Sequence, residues 1–438
     1  MTSRWRGILR ALTPGMRVKR WILLSVLSMG ILVIALLYVV GTDLVRFVYR
    51  TLPSSGPVRY AIMAAAFALG AVGFTCAVVQ LVRSVARSVA PDTRIKPATL
   101  IYRRRMLERG PRVVAIGGGT GLSTLLRGLK EVTSNVTAVV TVMDDGGSSG
   151  RLREEMDVLP PGDVRNCILA LAEDETRLSD LFQYRFNAPQ ELAGHSLGNL
   201  VLVGLEQATG GFDRAVEAMS HFLNVRGRVL PATLASTHLV AEMDDGSRVE
   251  GETRLSSDPR RIRRLQLSSA PVPAHEEVLE AIADADLIVV GPGSLFTSLV
   301  PNLLVDGIAT AIEEAPAEKV LIANLMTQPG ETDGFSLRDH LDVLGEYVDL
   351  RRFDRLFVNI APASDALLAH YIDEAAEPVR DDLGESNDYR LAIVRSDFLG
   401  TAKWGGKETI KHDPVKIARA LVRETGAFAS QRRESATP

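Results

Sequence analysis

Short apolar segments alternate with helical patterns from residue 112 to residue 424, and this alternation constrains the fold more than any other feature. Strands buried on both faces are almost continuously apolar, and strands separated by helices pair in parallel. We therefore predict an α/β protein with a Rossmann-like, mostly parallel sheet covered by helices on both faces. The predicted strands are Arg112–Ile116, Val136–Met143, Leu287–Val290, Val320–Ala323, Leu356–Ile360 and Leu391–Val394. The predicted helices among the later strands are Glu276–Ala285, Val305–Glu314, Leu337–Tyr347, Ala366–Ala375 and Pro414–Glu424.

Two stretches depart from this alternation. Residues 165–223 have the pattern of consecutive helices without a strong strand. Residues 237–252 have the pattern of a β-hairpin around Asp244-Asp245-Gly246, because aspartate followed by glycine favours hairpin turns. We interpret both stretches as insertions after the second strand, beside the crevice where an open parallel sheet binds its ligand.

Charged residues are divided unevenly along the 438 residues. Residues 1–110 contain 17 basic and 3 acidic residues, whereas residues 111–438 contain 33 basic and 50 acidic residues. The acidic body argues against nucleic acid as a partner, since proteins that bind it present a cationic surface. Two cysteines exclude a disulfide scaffold and a four-cysteine zinc site. We predict a basic N-terminal region, 1–110, an α/β domain, 111–428, and a flexible tail, 429–438.

Two uncharged runs in the N-terminal region, residues 21–42 and 60–82, are 22 and 23 residues long. About 20 apolar residues cross a bilayer as a helix. Basic residues precede the first run and follow the second, so the positive-inside rule places both ends in the cytoplasm. A cleaved signal peptide or a buried core helix is the alternative for a single run. We expect a hairpin of two transmembrane helices, in a multi-pass protein of the cell (inner) membrane whose N-terminus and main domain are cytoplasmic.

A glycine-rich turn, Gly117-Gly118-Gly119-Thr120-Gly121, joins the first predicted strand to a helical pattern. Free N–H groups at a helix N-terminus and the helix dipole attract anions, so the turn predicts a phosphate site. The spacing is neither G-x-G-x-x-G nor that of a P-loop. A tight turn without a ligand is the alternative interpretation.

The loop after the second predicted strand contains two carboxylates, three glycines and two serines. Asp144 and Asp145 could bind a hard cation, contact ribose hydroxyls or act as a general base. Ser148 and Ser149 could donate to phosphate, and Arg151 could pair with the carboxylates or bind a phosphate. A solvated turn is the alternative.

Further polar loops are expected at the same edge of the sheet. Asp163 is a candidate N-cap for a helix beginning at Val164, with Arg165 and Asn166 in its first turn. Capping alone is the alternative. The remaining candidates are His195 and Asn199 at a helix entry, Gly291, Gly293 and Ser294 in a loop after the third strand, and Lys411 before the last helix.

Five motifs in this order resemble those of the CofD-like family. They are G-G-G-T-G at 117–121, D-D-G-G-S-S-G-R at 144–151, P-G-D-V-R-N at 161–166, G-H-S-L-G-N at 194–199 and G-P-G-S-L-F-T-S-L-V-P at 291–301. The resemblance runs from about Arg112 to about Thr425. Within the family, the sequence is most similar to the YvcK branch of gluconeogenesis factors.

The resemblance implies a Rossmann-like nucleotide-binding domain with its ligand at the strand ends. The YvcK branch implies binding of UDP-sugars such as UDP-N-acetylglucosamine. It also implies support of cell shape and peptidoglycan synthesis on gluconeogenic carbon sources, without a settled catalytic activity. The N-terminal hairpin is absent from many relatives of this branch.

Carried over by position, the turns at 117–121 and 291–294 would hold the diphosphate of the ligand. Asp144, Asp145 and Asn199 would form the polar centre. Tyr371 and Lys411 lie where the YvcK branch has a ligand-contacting tyrosine and arginine. Lysine departs from that pattern, because it lacks the bidentate geometry of arginine.

The CofD branch implies a different function, a magnesium-dependent transferase that moves a phospholactyl group from a guanosine diphosphate carrier to a deazaflavin. Asp144 and Asp145 would then be catalytic, and Asp144 would hold Mg²⁺. A deazaflavin pocket should be aromatic, and only 5% of the residues are aromatic, so we rank this function second. A scaffold that docks proteins of cell-envelope synthesis is a third hypothesis. We expect a UDP-sugar ligand, Mg²⁺ as the one candidate cofactor, and a homo-oligomer.

Overall fold

The structure is a computed structural model. It describes residues 104–429 apart from 190, 373–374, 385–386 and 405–406, together with scattered residues between 29 and 75. The chain divides into two compact units, Met1–Met106 and Leu107–Pro438. The predicted span at 21–42, apart from residues 29–30, and the predicted tail beyond residue 429 lie outside the described residues.

The N-terminal unit contains one candidate membrane helix within its described residues. The helix Gly56–Thr75 is 20 residues long, has a mean hydropathy of 1.5 and is not buried against other residues. It is long and apolar enough to cross a bilayer, although a signal sequence passes the same test. It overlaps the predicted span at 60–82 but begins four residues earlier. The expected pair of spans is not confirmed.

The larger unit is built on a seven-stranded sheet whose neighbouring strands all pair in parallel. In chain order the strands of the unit are β1 Val113–Gly117, β2 Val136–Val140, β3 Arg228–Pro231, β4 Leu239–Met243, β5 Arg248–Glu250, β6 Ile262–Leu267, β7 Leu287–Val290, β8 Glu318–Ile322, β9 Arg355–Asn359, β10 Ala392–Ser396, β11 Leu399–Trp404 and β12 Lys407–His412. The order across the large sheet is β10-β9-β8-β7-β1-β2-β3. This is the predicted Rossmann-like α/β fold.

Helices connect the strands of the large sheet. In chain order they are α1 Gly119–Leu129, α2 Gly147–Met156, α3 Gly162–Leu171, α4 Glu175–Gln183, α5 Leu197–Thr209, α6 Phe212–Phe222, α7 Glu252–Leu255, α8 Glu276–Ala283, α9 Val300–Leu303, α10 Ile308–Glu314, α11 Leu337–Gly345, α12 Asp365–Ile372 and α13 Pro414–Glu424. A π-helical segment, Leu295–Leu299, precedes α9. The four helices α3 to α6 fill the stretch where consecutive helices were predicted.

Both faces of the large sheet are covered, as alternate side chains of β1 show. Val114 and Ile116 belong to one core cluster, and Val113 and Ala115 belong to the other. All four are at most 2% exposed, and burying a valine or isoleucine side chain stabilises the fold by about 1.5–3 kcal/mol. The two cores hold the carboxyl ends of the strands in fixed positions, which is where the candidate site lies.

Helix α1 connects the first glycine turn to the core. Leu122, Leu125, Leu126 and Leu129 lie on one helical face and are fully buried. On another part of its surface α1 packs against α13, and a Cβ added at Gly128 would lie 2.1 Å from the carbonyl oxygen of Pro414. The two helices therefore approach each other closely enough to require glycine at position 128.

The stretch between β2 and β7 contains more than the predicted hairpin. The hairpin is present as the antiparallel strands β4 and β5, but β6 adds a third strand to it, and residue 252 begins α7. The strand β3 joins the edge of the large sheet. It was not predicted because R-V-L-P is short and ends in proline, which sheets accept mainly at their edges.

Candidate functional site

The first glycine turn lies at the carboxyl end of β1. Gly119 has a φ of +59°, a conformation that glycine adopts readily. The N–H groups of Thr120 and Gly121, in the first turn of α1, have no hydrogen-bond partner within the described part of the chain. They are the free donors that the sequence predicts for an anion site.

The second glycine turn follows β7, the strand adjacent to β1. Gly291 has a φ of +85°. A Cβ at Gly121 would lie 2.4 Å from the carbonyl oxygen of Pro292 and 3.1 Å from the Cα of Gly293. The two turns are therefore in direct contact, and glycine at position 121 permits this.

Asn302 connects the first glycine turn to the π-helical segment that follows the second turn. Its side chain is fully buried, and its Nδ2 donates to the carbonyl oxygens of Gly117, at 3.0 Å, and Ser298, at 2.7 Å. Sequence reasoning did not select Asn302. Its position in the middle of an apolar segment, L-V-P-N-L-L, was the available signal, since a buried amide needs hydrogen-bond partners.

One cavity of about 310 Å³ is bounded by both turns, which is within the size range of small-molecule sites. Its lining residues are Gly118–Gly121, Thr124, Pro292–Ser294, Ser298, Asn324–Pro329, Tyr371, Ala376 and Ile410–His412. The glycine turns contribute polar backbone groups. Leu325, Met326, Ala376 and Ile410 contribute apolar surface.

Lys411, on β12, brings a cation to the cavity. Its Nζ donates to Thr120 Oγ1 at 2.8 Å. Burial, together with the nearby Arg127, lowers the pKa of Lys411 from its ordinary value. The hydroxyl of Tyr371 accepts a hydrogen bond from the Ile410 N–H at 2.7 Å. Both predicted residues thus line the cavity, and Tyr371 holds the strand that carries Lys411.

Asp163 does not cap its own helix. Helix α3 begins at Gly162, with Pro161 as its N-cap, so the predicted start at Val164 and the capping role of Asp163 are wrong. Its carboxylate instead accepts a hydrogen bond from the Gly119 N–H at 2.6 Å. The reason is tertiary: the start of α3 lies beside the start of α1, where an acidic group is stabilised by the helix dipole.

Carboxyl groups are concentrated behind the first turn. Burial raises the pKa of Asp163 to about 7, and the nearby Asp144 contributes. Burial also raises the pKa of Asp144. For Glu252, on α7, burial followed by the charges of Asp144 and Asp163 raises the pKa well above its usual range. Sequence reasoning missed Glu252, because it lies in an insertion without a recognisable motif.

Glu331 is a further buried carboxyl, 4% exposed. It accepts hydrogen bonds from Thr297 Oγ1 at 3.2 Å and from Ser256 Oγ at 3.3 Å. Burial raises the pKa of Glu331 to about 7. The residue connects the loop after β8 to the π-helical segment that follows the second glycine turn.

The groups around Asp144 show whether it could bind a metal ion as predicted. The described residues contain no group of three His, Cys, Asp or Glu side chains arranged to hold a metal ion. Asp144 accepts from the Gly146 N–H at 2.8 Å. Mg²⁺ is often held by one or two carboxylates together with substrate phosphates, so Asp144 fits such a shared site but not a site made by the protein alone.

A chain of buried polar side chains lies beside these carboxyl groups. Ser148 Oγ lies 3.0 Å from His195 Nδ1 and accepts from Asn199 Nδ2 at 3.0 Å. Arg165 donates to Asn199 Oδ1 at 2.8 Å and to the Ser196 hydroxyl. Ser196 caps α5. Four predicted site residues are thus brought together, but they are buried and face one another rather than the cavity.

The remaining predicted residues occupy varied positions. Arg151 donates to the carbonyl oxygen of Ala193 at 2.7 Å, and Asn166 accepts from Arg165 at 2.8 Å. Asp145 accepts from the N–H and the hydroxyl of Thr253, both at 2.8 Å. The contacts of Arg151 and Asp145 hold the segment after β2 to its neighbours, whereas that of Asn166 is internal to α3. None of these side chains lines the cavity of the two turns.

Comparison with known proteins gives consistent results. Residues 113–399 match the family model described as 2-phospho-L-lactate transferase CofD. A putative gluconeogenesis factor of Nostoc sp. is 42% identical over 429 residues, which cover 95% of this chain and 92% of the relative. The gluconeogenesis factor of Bacillus subtilis is 46% identical and covers 71% of this chain and 97% of its own length. A Bacillus halodurans protein with a crystal structure is 46% identical in sequence to this chain. The two structures superpose with a TM-score of 0.68, and the match covers 72% of this chain and all of that chain.

Proposed function

Since this chain belongs to the CofD family and has gluconeogenesis factors among its relatives, we propose that it binds a UDP-sugar, such as UDP-N-acetylglucosamine, in the cavity between its two glycine turns. We further propose that it acts as a regulator of the gluconeogenesis-factor type. In this role it would support cell shape and peptidoglycan synthesis rather than catalyse a reaction.

One observation carries the proposal: the two glycine turns are in contact and bound the same cavity. A diphosphate requires several donors within a few ångströms of one another. The free N–H groups of Thr120 and Gly121 and the ammonium group of Lys411, which contacts Thr120, supply them.

Other residues of the cavity lining suit a nucleobase. Leu325, Met326 and Ile410 provide apolar surface, and Asn324 and Gln328 provide amide groups. Small-molecule sites commonly combine an apolar lining with a few polar groups that fix orientation. A cavity of about 310 Å³ accommodates part of a nucleotide-sugar, so the sugar extends beyond it.

A carboxyl group behind the first turn favours an uncharged sugar over a phospholactyl group. Asp144, when ionised, would repel the carboxylate of a lactyl group, whereas it can accept hydrogen bonds from sugar hydroxyls. Like charges across a binding site select against a ligand. Together with the low aromatic content, this places the transferase function second.

The transferase of the CofD type is the second candidate, favoured by the family model that matches residues 113–399. Mg²⁺ bound through Asp144 and the ligand phosphates would supply charge neutralisation. Asp145 is engaged with Thr253, so it would position the loop. This function predicts magnesium-dependent turnover with a deazaflavin acceptor, and Asp144→Asn would abolish it.

The remaining elements of the proposal concern location and partners. The helix Gly56–Thr75 and the apolar run at 21–42 support a membrane anchor, with the α/β unit in the cytoplasm. We propose a homo-oligomer that docks proteins of cell-envelope synthesis at the membrane. Ligand occupancy of the cavity would then report the supply of nucleotide-sugars to these partners.

Titration calorimetry of the full-length chain tests the ligand assignment. We expect UDP-N-acetylglucosamine to bind and GDP to bind at least tenfold more weakly. Gly121→Ala should abolish binding, because its Cβ would separate the two turns. Gly204→Ala, where a Cβ meets nothing within 4 Å, is the matched control. Absence of binding by every uridine diphosphate compound would refute the proposal.

A further inference from the structure

The acidic residue beside the first glycine turn has an unexpected position for a phosphate site. Helix α1 offers three N–H groups in its first turn, and the first of them, on Gly119, already donates to Asp163 Oδ2 at 2.6 Å. The same oxygen lies 2.9 Å from the position that a Cβ of Gly118 would occupy. A carboxylate is therefore fixed directly behind two glycines that line the cavity.

The neighbouring charges leave Asp163 mostly ionised at pH 8. Arg165, two positions further along α3, directs its guanidinium to Ser196, Asn199 and Asn166. Its charge lowers the pKa of Asp163, but burial and the charge of Asp144 raise that pKa more, to about 7. Lys411 Nζ contacts Thr120 Oγ1, so a carboxylate and a cation both lie near the first turn.

We propose that Asp163 is a specificity-determining residue, whose carboxylate makes the cavity prefer diphosphates esterified with an uncharged group over free nucleoside diphosphates. The inference rests on the proposed function, because it assumes that the distal phosphate lies at the first glycine turn. A terminal phosphate loses a second proton near pH 6, so at pH 8 a free diphosphate carries about one more negative charge than its sugar ester. That additional charge falls on the phosphate next to Asp163.

The size of the effect follows from Coulomb's law. Two like charges a few ångströms apart near a protein surface weaken binding by about tenfold or more. The penalty applies most strongly to the ligand with the more highly charged terminal phosphate. Asp163 thus allows the protein to respond to an intact nucleotide-sugar in the presence of the free nucleotide.

The test compares Asp163→Asn with the wild-type full-length chain by titration calorimetry at pH 8. Asparagine keeps an oxygen acceptor for the Gly119 N–H and removes the charge. We expect UDP to bind about tenfold more tightly to the variant, and UDP-N-acetylglucosamine about threefold more tightly. The preference for the sugar ester should therefore fall. Asp180→Asn, at an exposed position on α4, should change neither affinity.

Two results would overturn the inference. Weaker binding of UDP-N-acetylglucosamine by Asp163→Asn would show that the carboxylate accepts a sugar hydroxyl or holds a cation. Unchanged affinity for both ligands would show that the charge of Asp163 does not affect ligands bound in the cavity. If Asp163→Asn does not fold, Asp163→Ser is the second neutral variant.

Pyrophosphate separates this inference from the proposed function. If wild-type protein binds neither uridine compound, the proposed function fails, and the inference is then decided with pyrophosphate. Tighter binding of pyrophosphate by the neutral variant supports the charge effect. Equal or weaker binding of pyrophosphate by the neutral variant, or no binding by either protein, refutes it.

Discussion

The side chains around the cavity differ in how far local sequence determines them. One cavity is lined by residues of both predicted glycine turns, together with the predicted Tyr371 and Lys411. The orientation of Asp163 depends on contact between two helices 44 residues apart, which no local pattern contains. The same holds for Glu252, whose surroundings come from loops distant in the sequence.

Lys411 is a cation that contacts the first turn, through Thr120 Oγ1. We predict that Lys411→Met weakens UDP-N-acetylglucosamine binding by about tenfold, because a charge-assisted hydrogen bond to phosphate contributes about 1.5–3 kcal/mol. Calorimetric titration measures the change. Lys416→Met, which removes a lysine paired with Asp397 instead, should leave the affinity unchanged; equal losses in both variants would contradict the assignment.

Glu331 makes the stability of the protein depend on pH. Burial raises the pKa of Glu331 from 4.5 to about 7, so its ionisation opposes folding. This destabilisation is absent below about pH 4.5 and complete above about pH 7. We predict that Glu331→Gln, which keeps an oxygen acceptor for Thr297, increases the free energy of unfolding by about 1–3 kcal/mol at pH 8.

Urea denaturation at pH 8 and pH 5 measures this effect. The increase in the free energy of unfolding caused by Glu331→Gln should be much smaller at pH 5, because the carboxyl group of Glu331 is mostly protonated in the folded wild type at that pH. Glu217→Gln, at an exposed position on α6, is the control. Equal effects of Glu331→Gln at both pH values would mean that ionisation is not responsible.

The close contact between helices α1 and α13 allows a test of how the helices pack. A Cβ at Gly128 would lie 2.1 Å from the Pro414 carbonyl oxygen, so the helices must separate. We predict that Gly128→Ala lowers the free energy of unfolding by about 2 kcal/mol or more. Gly204→Ala, in the interior of α5 with nothing near the added Cβ, should instead raise it by up to about 1 kcal/mol. Chemical denaturation of both variants measures the pair, and a stabilising Gly128→Ala would contradict the structure.

Elements with a strong apolar period were predicted closely, and elements at sheet edges were not. Strand β7 and helix α13 have the predicted bounds, Leu287–Val290 and Pro414–Glu424. The hairpin of β11 and β12 was missed, although two six-residue strands flank a glycine pair, which is a hairpin signal. Its strands mix polar and apolar residues, and period alone does not reveal such strands.

At the scale of the whole molecule, the fold class followed from the alternation of apolar strands and helices, whereas the membrane hairpin remains a prediction. One candidate helix, Gly56–Thr75, is present within the described part of the N-terminal unit. The relative from Nostoc sp. aligns over 95% of this chain, while the Bacillus subtilis protein aligns over 71%. Part of this chain is therefore outside the alignment with the Bacillus subtilis protein.

Alkaline carbonate extraction of cell membranes tests the membrane anchor. We predict that the full-length chain stays in the pellet, because the two apolar runs of about 20 residues would anchor it in the bilayer. A variant lacking residues 1–82 should move to the supernatant. Release of the full-length chain by carbonate would contradict the two-span prediction.

The central claim is that two adjacent glycine turns together bind a diphosphate, and a crystal structure of the protein with UDP-N-acetylglucosamine tests it most directly. We predict that the two phosphates lie within hydrogen-bond distance of the Thr120 and Gly121 N–H groups and of the Gly293–Ser294 backbone, with Lys411 turned from Thr120 towards the phosphate. A ligand bound elsewhere, or phosphates that contact neither turn, would contradict the account.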